Sequence, residues 1–245
     1  MQALELTKKF SDFEISKEIL EQLTRLNFSS PTQIQSLSLP HSLARKDLIG
    51  LAETGSGKTL AFLLPILEGL LKDRRPYYAL ILAPTRELCI QIQEQVSALG
   101  AAFGVKSVAI LGGLDLMTQA VTLTTKKPHI IIGTPGRILH HLENTKGFRL
   151  QELKFLVLDE ADKLLDLNFE EALDQIMEKL NSDRTTFLFS ATMTNKVSKL
   201  QRASLKDPVK IEANQTKNQT VQTLHQSYLF IPLKYKDTYL INLLN

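Results

Sequence analysis

Ala52-Glu53-Thr54-Gly55-Ser56-Gly57-Lys58-Thr59 is the stretch that decides how this chain is read. Gly55 and Gly57 let the backbone turn tightly and bring bare N–H groups against phosphate oxygens. A helix opening at Gly57 adds the positive end of its dipole. Lys58 would reach the β and γ phosphates of a nucleotide as a point charge, and Thr59 would offer its hydroxyl to Mg²⁺. Thr54 and Ser56 complete the cradle. Ala52 stands where the generic phosphate-loop pattern has its first glycine, so taken alone the match is one residue short, and an incidental glycine-rich turn is the alternative.

A second string, Asp159-Glu160-Ala161-Asp162, argues against that alternative. Asp159 ends the apolar run Phe155-Leu156-Val157-Leu158, where it can hold Mg²⁺ directly or through water. Successive strand residues point to opposite faces, so Glu160 must lie just past the strand, in the turn, if it is to orient the water that attacks the γ-phosphate. Phosphoryl transfer is catalysed mainly by such positioning and by charge neutralisation. Ser190-Ala191-Thr192 follows another apolar run. If that segment is extended, its two hydroxyls share one side and can link the acidic turn to whatever senses hydrolysis.

The composition sets outer bounds. A chain of 245 residues with 43% hydrophobic content can bury a large single core, and 22% charged residues mark an ordinary globular sequence. The net charge of +3 permits a nucleic-acid partner without demanding one. A lone Cys89 rules out an intramolecular disulfide and fits a reducing compartment such as cytosol or nucleus. The five histidines do not form a metal cage by spacing, since His140 and His141 are adjacent and cannot share a helix face. No segment approaches the length of a membrane span, so no membrane partner is expected, and the chain reads as a monomer.

Apolar residues at three- and four-residue spacing predict helices over 16–26 and 32–44, and further helices from Gly57 into the early seventies and from Arg86 to about Gly100. Between them lie short apolar runs: Leu48–Leu51, Tyr78–Ala83, Val108–Leu111, His129–Ile132, Phe155–Leu158 and Thr186–Phe189. Alternation of this kind predicts an α/β fold, a mostly parallel twisted sheet with helices on both faces. Ligands then gather outside the carboxyl ends of the strands. After Ile211 the stretch Asn214 to Thr220 is polar, and Tyr228–Ile231 with a helix-like Tyr235–Leu244 starts something new. This reads as a domain end, a linker and the first element of a second domain, the alternative being a strand and helix that dock back on the first.

Upstream of the cradle, Gln35 carries an amide that can read adenine bidentately, with Phe10 stacking on the ring. The alternative is a surface glutamine and a core phenylalanine. Pro84-Thr85-Arg86-Glu87 and Thr134-Pro135-Gly136-Arg137 sit where a strand gives way to a helix. Thr134 reads as an N-cap with Pro135 at the first helical position, and Thr85 can cap the other helix. Such ends bind anions, and Arg86 and Arg137 add charge or make internal salt bridges instead. Gly112-Gly113 allows another close backbone approach. Several such elements suggest a polyanion held by its backbone, without sequence reading, although each alone is equally well explained as plain helix capping.

The order Phe10, Gln35, AETGSGKT (52–59), PTREL (84–88), Gly112-Gly113, TPGR (134–137), DEAD (159–162) and SAT (190–192) resembles the first RecA-like domain of DEAD-box RNA helicases. The resemblance implies a RecA-like ATP-binding domain over 10–212, an N-terminal tail over 1–9, and a linker with the start of a second RecA-like domain over 213–245. It implies ATP or ADP with Mg²⁺ as ligands and adenine selection by Phe10 and Gln35. Pro84, Thr85, Arg86, Gly113, Thr134 and Arg137 would then face RNA. The segment from His140 to Phe148, with Phe230-Ile231-Pro232 and Lys236-Asp237-Thr238-Tyr239, is similar to the nucleolar subgroup that processes small-subunit pre-ribosomal RNA. That likeness implies pre-ribosomal particle proteins as partners and the nucleolus, then the cytoplasm, as location. Family members need a second RecA-like domain, so this chain is expected to bind nucleotide while showing little ATPase and no unwinding. An ATP-gated RNA clamp that anchors an assembly without unwinding is the competing reading. A phosphate-loop kinase or GTPase is disfavoured, because no guanine-reading Asn-Lys-x-Asp string is present.

Overall fold

Runs such as Ala79-Leu80-Ile81-Leu82 and Ile130-Ile131-Ile132 are apolar on both faces, a pattern that suits strands covered on both sides. In the computed structural model, which describes residues 8–213 and 227–244, they are fully buried strands. Seven strands form one sheet among the described residues: β1 (Leu48–Leu51), β2 (Ala79–Leu82), β3 (Ser107–Ile110), β4 (Ile130–Gly133), β5 (Phe155–Leu158), β6 (Thr185–Ser190) and β7 (Val209–Glu212). Every pairing is parallel, in the order β3-β4-β2-β5-β6-β1-β7. The expected mostly parallel sheet is therefore parallel throughout.

Alternate strand residues feed two separate cores. Leu48, Ile81, Ile132, Val157 and Phe187 face one side, where α1 (Lys17–Arg25), α2 (Gln33–Leu43), α3 (Lys58–Lys72) and α4 (Arg86–Gly100) pack. Ile49, Leu82, Ile131, Leu158 and Leu188 face the other. There α6 (Pro135–Asn144), α7 (Ala161–Asp166), α8 (Glu170–Lys179) and α9 (Asn195–Ser204) cover the sheet. Helix α3 is buried at every position from Leu60 to Leu70, which explains why its sequence is almost wholly apolar. Between β3 and β4 lie a short α5 (Leu116–Val121) and a π-turn (Thr122–Lys126), which the apolar spacing does not announce.

The strand order has one consequence that linear sequence cannot supply. The cradle follows β1, Asp159 follows β5, and Ser190 ends β6, and these are three neighbouring strands. The PTREL, TPGR and Gly112-Gly113 segments follow β2, β4 and β3, the other three neighbours. All six lie at the carboxyl edge, one strand spacing after another.

At the opposite edge Asp47, just before β1, holds three strands in register. Its carboxylate accepts from the backbone N–H of Thr186 and of Lys206, both at 2.7 Å, and its carbonyl accepts from Val209 at 2.9 Å.

The chain divides into two compact units, Met1–Gln215 and Thr216–Asn245. In the second, Tyr228–Ile231 has no regular structure, and a 3₁₀ turn (Leu233–Tyr235) leads into α10 (Lys236–Leu244), where a helix was expected. The expected tail over 1–9, apart from Lys8 and Lys9, and the polar stretch 214–220 lie outside the described residues. No helix among the described residues is long and apolar enough to cross a membrane.

Asp47→Ala removes two charge-assisted bonds and leaves the buried Thr186 amide without its partner, which should cost about 3 kcal/mol. Urea unfolding checks this: a lower midpoint with an unchanged slope is expected, and a loss below about 1 kcal/mol would contradict the pinning role.

Candidate nucleotide and nucleic-acid site

The cradle leaves β1 at Ala52, whose N–H donates to the Ser190 carbonyl at 3.0 Å and so continues the ladder past the strand. Gly55 and Gly57 then take φ values of 83° and 93°, the left-handed region that side chains disfavour. Gly57 is constrained twice, because a Cβ there would lie 2.5 Å from the Gln35 amide nitrogen.

Gln35 is not a surface residue: it is 3% exposed. Its Oε1 accepts from Thr32 N–H at 2.9 Å, forming a capping box at the start of α2, and its Nε2 donates to the Gly57 carbonyl at 2.9 Å. One amide thus ties α2 to the cradle, and it keeps a second N–H and a second lone pair for a ligand. Phe10, 5% exposed, lies in the core on the α3 side, so of the two readings its burial favours the core phenylalanine.

Lys58 is buried, and its ammonium donates to the Ala52 carbonyl at 3.0 Å. Asp159 is 3% exposed, and burial raises its carboxyl to about 6; Lys58 opposes that rise and Glu160 adds to it. Glu160 takes a left-handed φ of 49°, uncommon for a side-chain-bearing residue, and its N–H donates to Asp159 Oδ1 at 3.0 Å. Its carboxylate accepts from Thr54 Oγ1 at 3.3 Å and pairs with Lys163 Nζ at 2.9 Å. The acidic turn is thereby bonded directly to the cradle, and Glu160 lies past the strand, in the turn.

Asp162 joins the acidic turn to the third string. Thr192 donates to its carboxylate through both N–H (3.1 Å) and Oγ1 (2.8 Å). Its own N–H donates to Ser190 Oγ at 3.3 Å, and Ser190 Oγ donates to the Thr192 carbonyl at 2.8 Å. Both hydroxyls of the SAT string therefore meet the acidic turn at Asp162.

Along the other half of the edge, Thr85 Oγ1 caps α4 by accepting from Leu88 N–H at 3.3 Å, next to the buried Pro84. Arg86 lies against Gly113, where φ is 75° and a Cβ would stand 2.7 Å from Arg86 Nη1. Thr134 is the N-cap of α6 and Pro135 its first residue, but the Thr134 side chain makes no capping hydrogen bond. Arg137 donates to the Leu114 carbonyl at 3.1 Å, neither a helix cap nor an ion pair. The three segments thus meet around the turn 111–114. Two further residues meet there: Gln119 donates to the Leu111 carbonyl at 2.9 Å and approaches His141 Nε2 at 3.1 Å. Gln119 belongs to no recognisable string, and His141, although within the segment His140 to Phe148, is given a part here only by the tertiary pairing.

A glycine-rich loop after one strand of a parallel sheet, bonded to an acidic turn two strands away, defines a phosphate-loop α/β domain. The profile described as "DEAD/DEAH box helicase" matches residues 32–200, and the chain belongs to that family. It is 56% identical over 236 residues to the protein named ATP-dependent rRNA helicase RRP3 of Meyerozyma guilliermondii, covering 96% of this chain and 49% of that protein. It is 55% identical over 236 residues to ATP-dependent RNA helicase DDX47 of Drosophila melanogaster, covering 96% and 46%. Among solved structures, a DEAD box protein from the hyperthermophile Methanococcus jannaschii superposes with a TM-score of 0.80 at 32% identity, over 96% of this chain and 63% of that one. The chain spans about half the length of the curated relatives it matches.

Burying an ionised Asp159 costs stability, so Asp159→Asn should raise the thermal midpoint in EDTA at pH 7.5, by about 1–2 kcal/mol of stability. Calorimetric scans check this, and a lower midpoint would mean that the carboxylate is a net structural support.

Proposed function

We propose that this chain is the ATP-binding part of a DEAD-box RNA helicase that couples ATP binding and hydrolysis to RNA duplex unwinding or particle remodelling in ribosomal RNA processing. One observation carries the reading. The loops after β5, β6 and β1 form one hydrogen-bonded cluster of cradle, carboxylates and hydroxyls, and the loops after β3, β4 and β2 form a second, contiguous with it. Residues 10–212 would be the RecA-like domain, with linker and the start of a second domain over 213–245. The names of the relatives support the ribosomal assignment, and with it a nucleolar location and pre-ribosomal partners.

In this reading the amides of Thr54, Gly55, Ser56 and Gly57 cradle the phosphates, and Lys58 exchanges the Ala52 carbonyl for phosphate oxygen. Thr59 and Asp159 fit Mg²⁺: a hydroxyl and a desolvated carboxylate are hard oxygen donors, and no cluster of three or more His, Cys, Asp or Glu side chains that could cage a metal occurs among the described residues. Magnesium characteristically takes few protein ligands and fills its shell with water and phosphate. When bound it would neutralise charge on the phosphate oxygens. Glu160, held by Thr54 and Lys163, orients the attacking water. Ser190 and Thr192 transmit the state of the acidic turn through Asp162. Gln35 reads adenine with the N–H and lone pair it has free, and Phe10 supports that wall from the core. Pro84, Thr85, Arg86, Gly113, Thr134 and Arg137 hold RNA by its backbone, independently of sequence.

Calorimetric titration with ADP, ATP and GTP, each with Mg²⁺, tests the nucleotide half. Binding selective for adenine is expected, weakened ten- to a hundredfold by Lys58→Ala as loss of charge-assisted bonds implies. Gln35→Ala should narrow the ATP–GTP difference. Glu160→Gln should leave ADP affinity within about threefold, since the residue is assigned to water and not to phosphate. Equal affinity for ATP and GTP in the unaltered chain would defeat the base-reading role, and equal losses in Lys58→Ala and Glu160→Gln would defeat the water-positioning role.

A further inference from the structure

His141 is 1% exposed on α6, one turn beyond Arg137, and both of its ring nitrogens are engaged. Nε2 lies 3.1 Å from Gln119 Oε1, and Nδ1 lies 2.8 Å from Thr145 Oγ1. Gln119, itself 6% exposed on α5, sends its Nε2 to the Leu111 carbonyl at 2.9 Å. Bond polarity then fixes the protons. An amide nitrogen only donates and an amide oxygen only accepts, so His141 must carry its proton on Nε2. Nδ1 is left as a lone pair, and the Thr145 hydroxyl donates to it. Burial first, and then the neighbouring His140 and Arg137, lower the His141 pKa and favour this neutral form. In the neutral ring, one proton arrangement satisfies the whole relay from Thr145 to Leu111.

The relay bears weight because Gln119 is the one buried residue of α5. Helix α5 is only six residues long, too short to be stable alone, and Leu116, Met117 and Val121 are exposed. An open pocket of about 360 Å³ is lined by its flank and by His140, His141 and Asn144 of α6. Within α5 itself, the buried contribution to this spacing is therefore the polar side chain of Gln119. That spacing matters at the far end: Leu111 immediately precedes Gly112-Gly113, and Arg137 makes the second tie, to the Leu114 carbonyl.

We propose that His141 is a positioning residue: through Gln119 it fixes the turn Leu111–Leu114 against α6, and so sets the distance between Gly113 and Arg137 on the RNA-facing edge. Its consequence for RNA rests on the reading of that edge given above; its consequence for the turn does not.

Three variants test it: His141→Phe and Gln119→Met, which keep volume and remove the relay, and His141→Gln, whose amide N–H can stand where Nε2–H stood. Each is titrated with a fluorescent oligouridylate of about ten nucleotides at low salt, a length one backbone-tracking site covers. ADP–Mg²⁺ affinity and hydrogen exchange at the amides of 111–115 are measured alongside. His141→Phe and Gln119→Met should weaken RNA binding roughly fivefold, the scale of one buried hydrogen bond. Exchange at the turn should quicken, ADP affinity should stay within twofold, and His141→Gln should recover most of both losses. Unchanged exchange at the turn, or faster exchange with unchanged RNA affinity, overturns the proposal. So does a parallel loss of ADP and RNA binding that His141→Gln does not repair, since that marks mere support of the fold. If the unaltered chain binds no RNA, the reading of the edge fails, and the exchange comparison still decides whether the relay holds the turn.

Discussion

The carboxyl edge of this sheet is organised around two opposite charges buried within it and left without a direct ion pair. Lys58 spends its ammonium on a backbone carbonyl, and Asp159 sits desolvated, with one oxygen on the Glu160 amide. Each charge lowers the cost of the other only at a distance, so neither is as stable as a bonded pair would be. An arrangement that withholds stability at a strand end is what a site for a charged ligand requires. The left-handed backbone at Glu160 adds local strain in the same few ångströms. The remainder of the domain supplies the rigidity that keeps these features in place, through two apolar cores and the Asp47 pin at the far edge.

Rigidity at one edge also permits communication along the other. The cradle touches the acidic turn through Thr54 and Glu160, and the acidic turn touches the SAT string through Asp162. Beyond β5 and β2, a different set of bonds gathers Arg86, Gly113, Arg137, Gln119 and His141 around one turn. The two clusters differ in kind. The first contains buried charge; the second ties backbone carbonyls of one turn to the side chains of Arg137 and Gln119. In the proposed helicase, ATP acts on the first and RNA on the second, and parallel strands of fixed spacing join them.

Much of this was legible in the sequence, for identifiable reasons. Strands buried on both faces write continuous apolar runs, so β1, β2, β5 and β6 were placed to within one or two residues. Helices α1 to α4 show apolar spacing or a capping string at their starts. The reading failed for α5 and the π-turn, because Leu116, Met117 and Val121 face outward and carry no periodic signal of burial. Strand order was invisible too, since it depends on which crossover passes over which strand. At the candidate site, the residues within strings are the ones the sequence could name. Gln119 and His141 are not among them, because a lone glutamine and one of two adjacent histidines, 22 residues apart, acquire meaning only when the fold brings them together. Thr134 stands at the N-cap of α6 as expected, but its side chain makes no capping hydrogen bond.

A crystal structure of the chain with ADP and Mg²⁺ tests the central claim most directly, because the claim concerns where two charges turn. The account predicts the β-phosphate against the amides of Thr54 to Gly57, Lys58 Nζ moved from the Ala52 carbonyl to phosphate oxygen, and the cation on the side of Thr59 and Asp159. A phosphate bound elsewhere, or Lys58 still on Ala52 with the nucleotide in place, would contradict it.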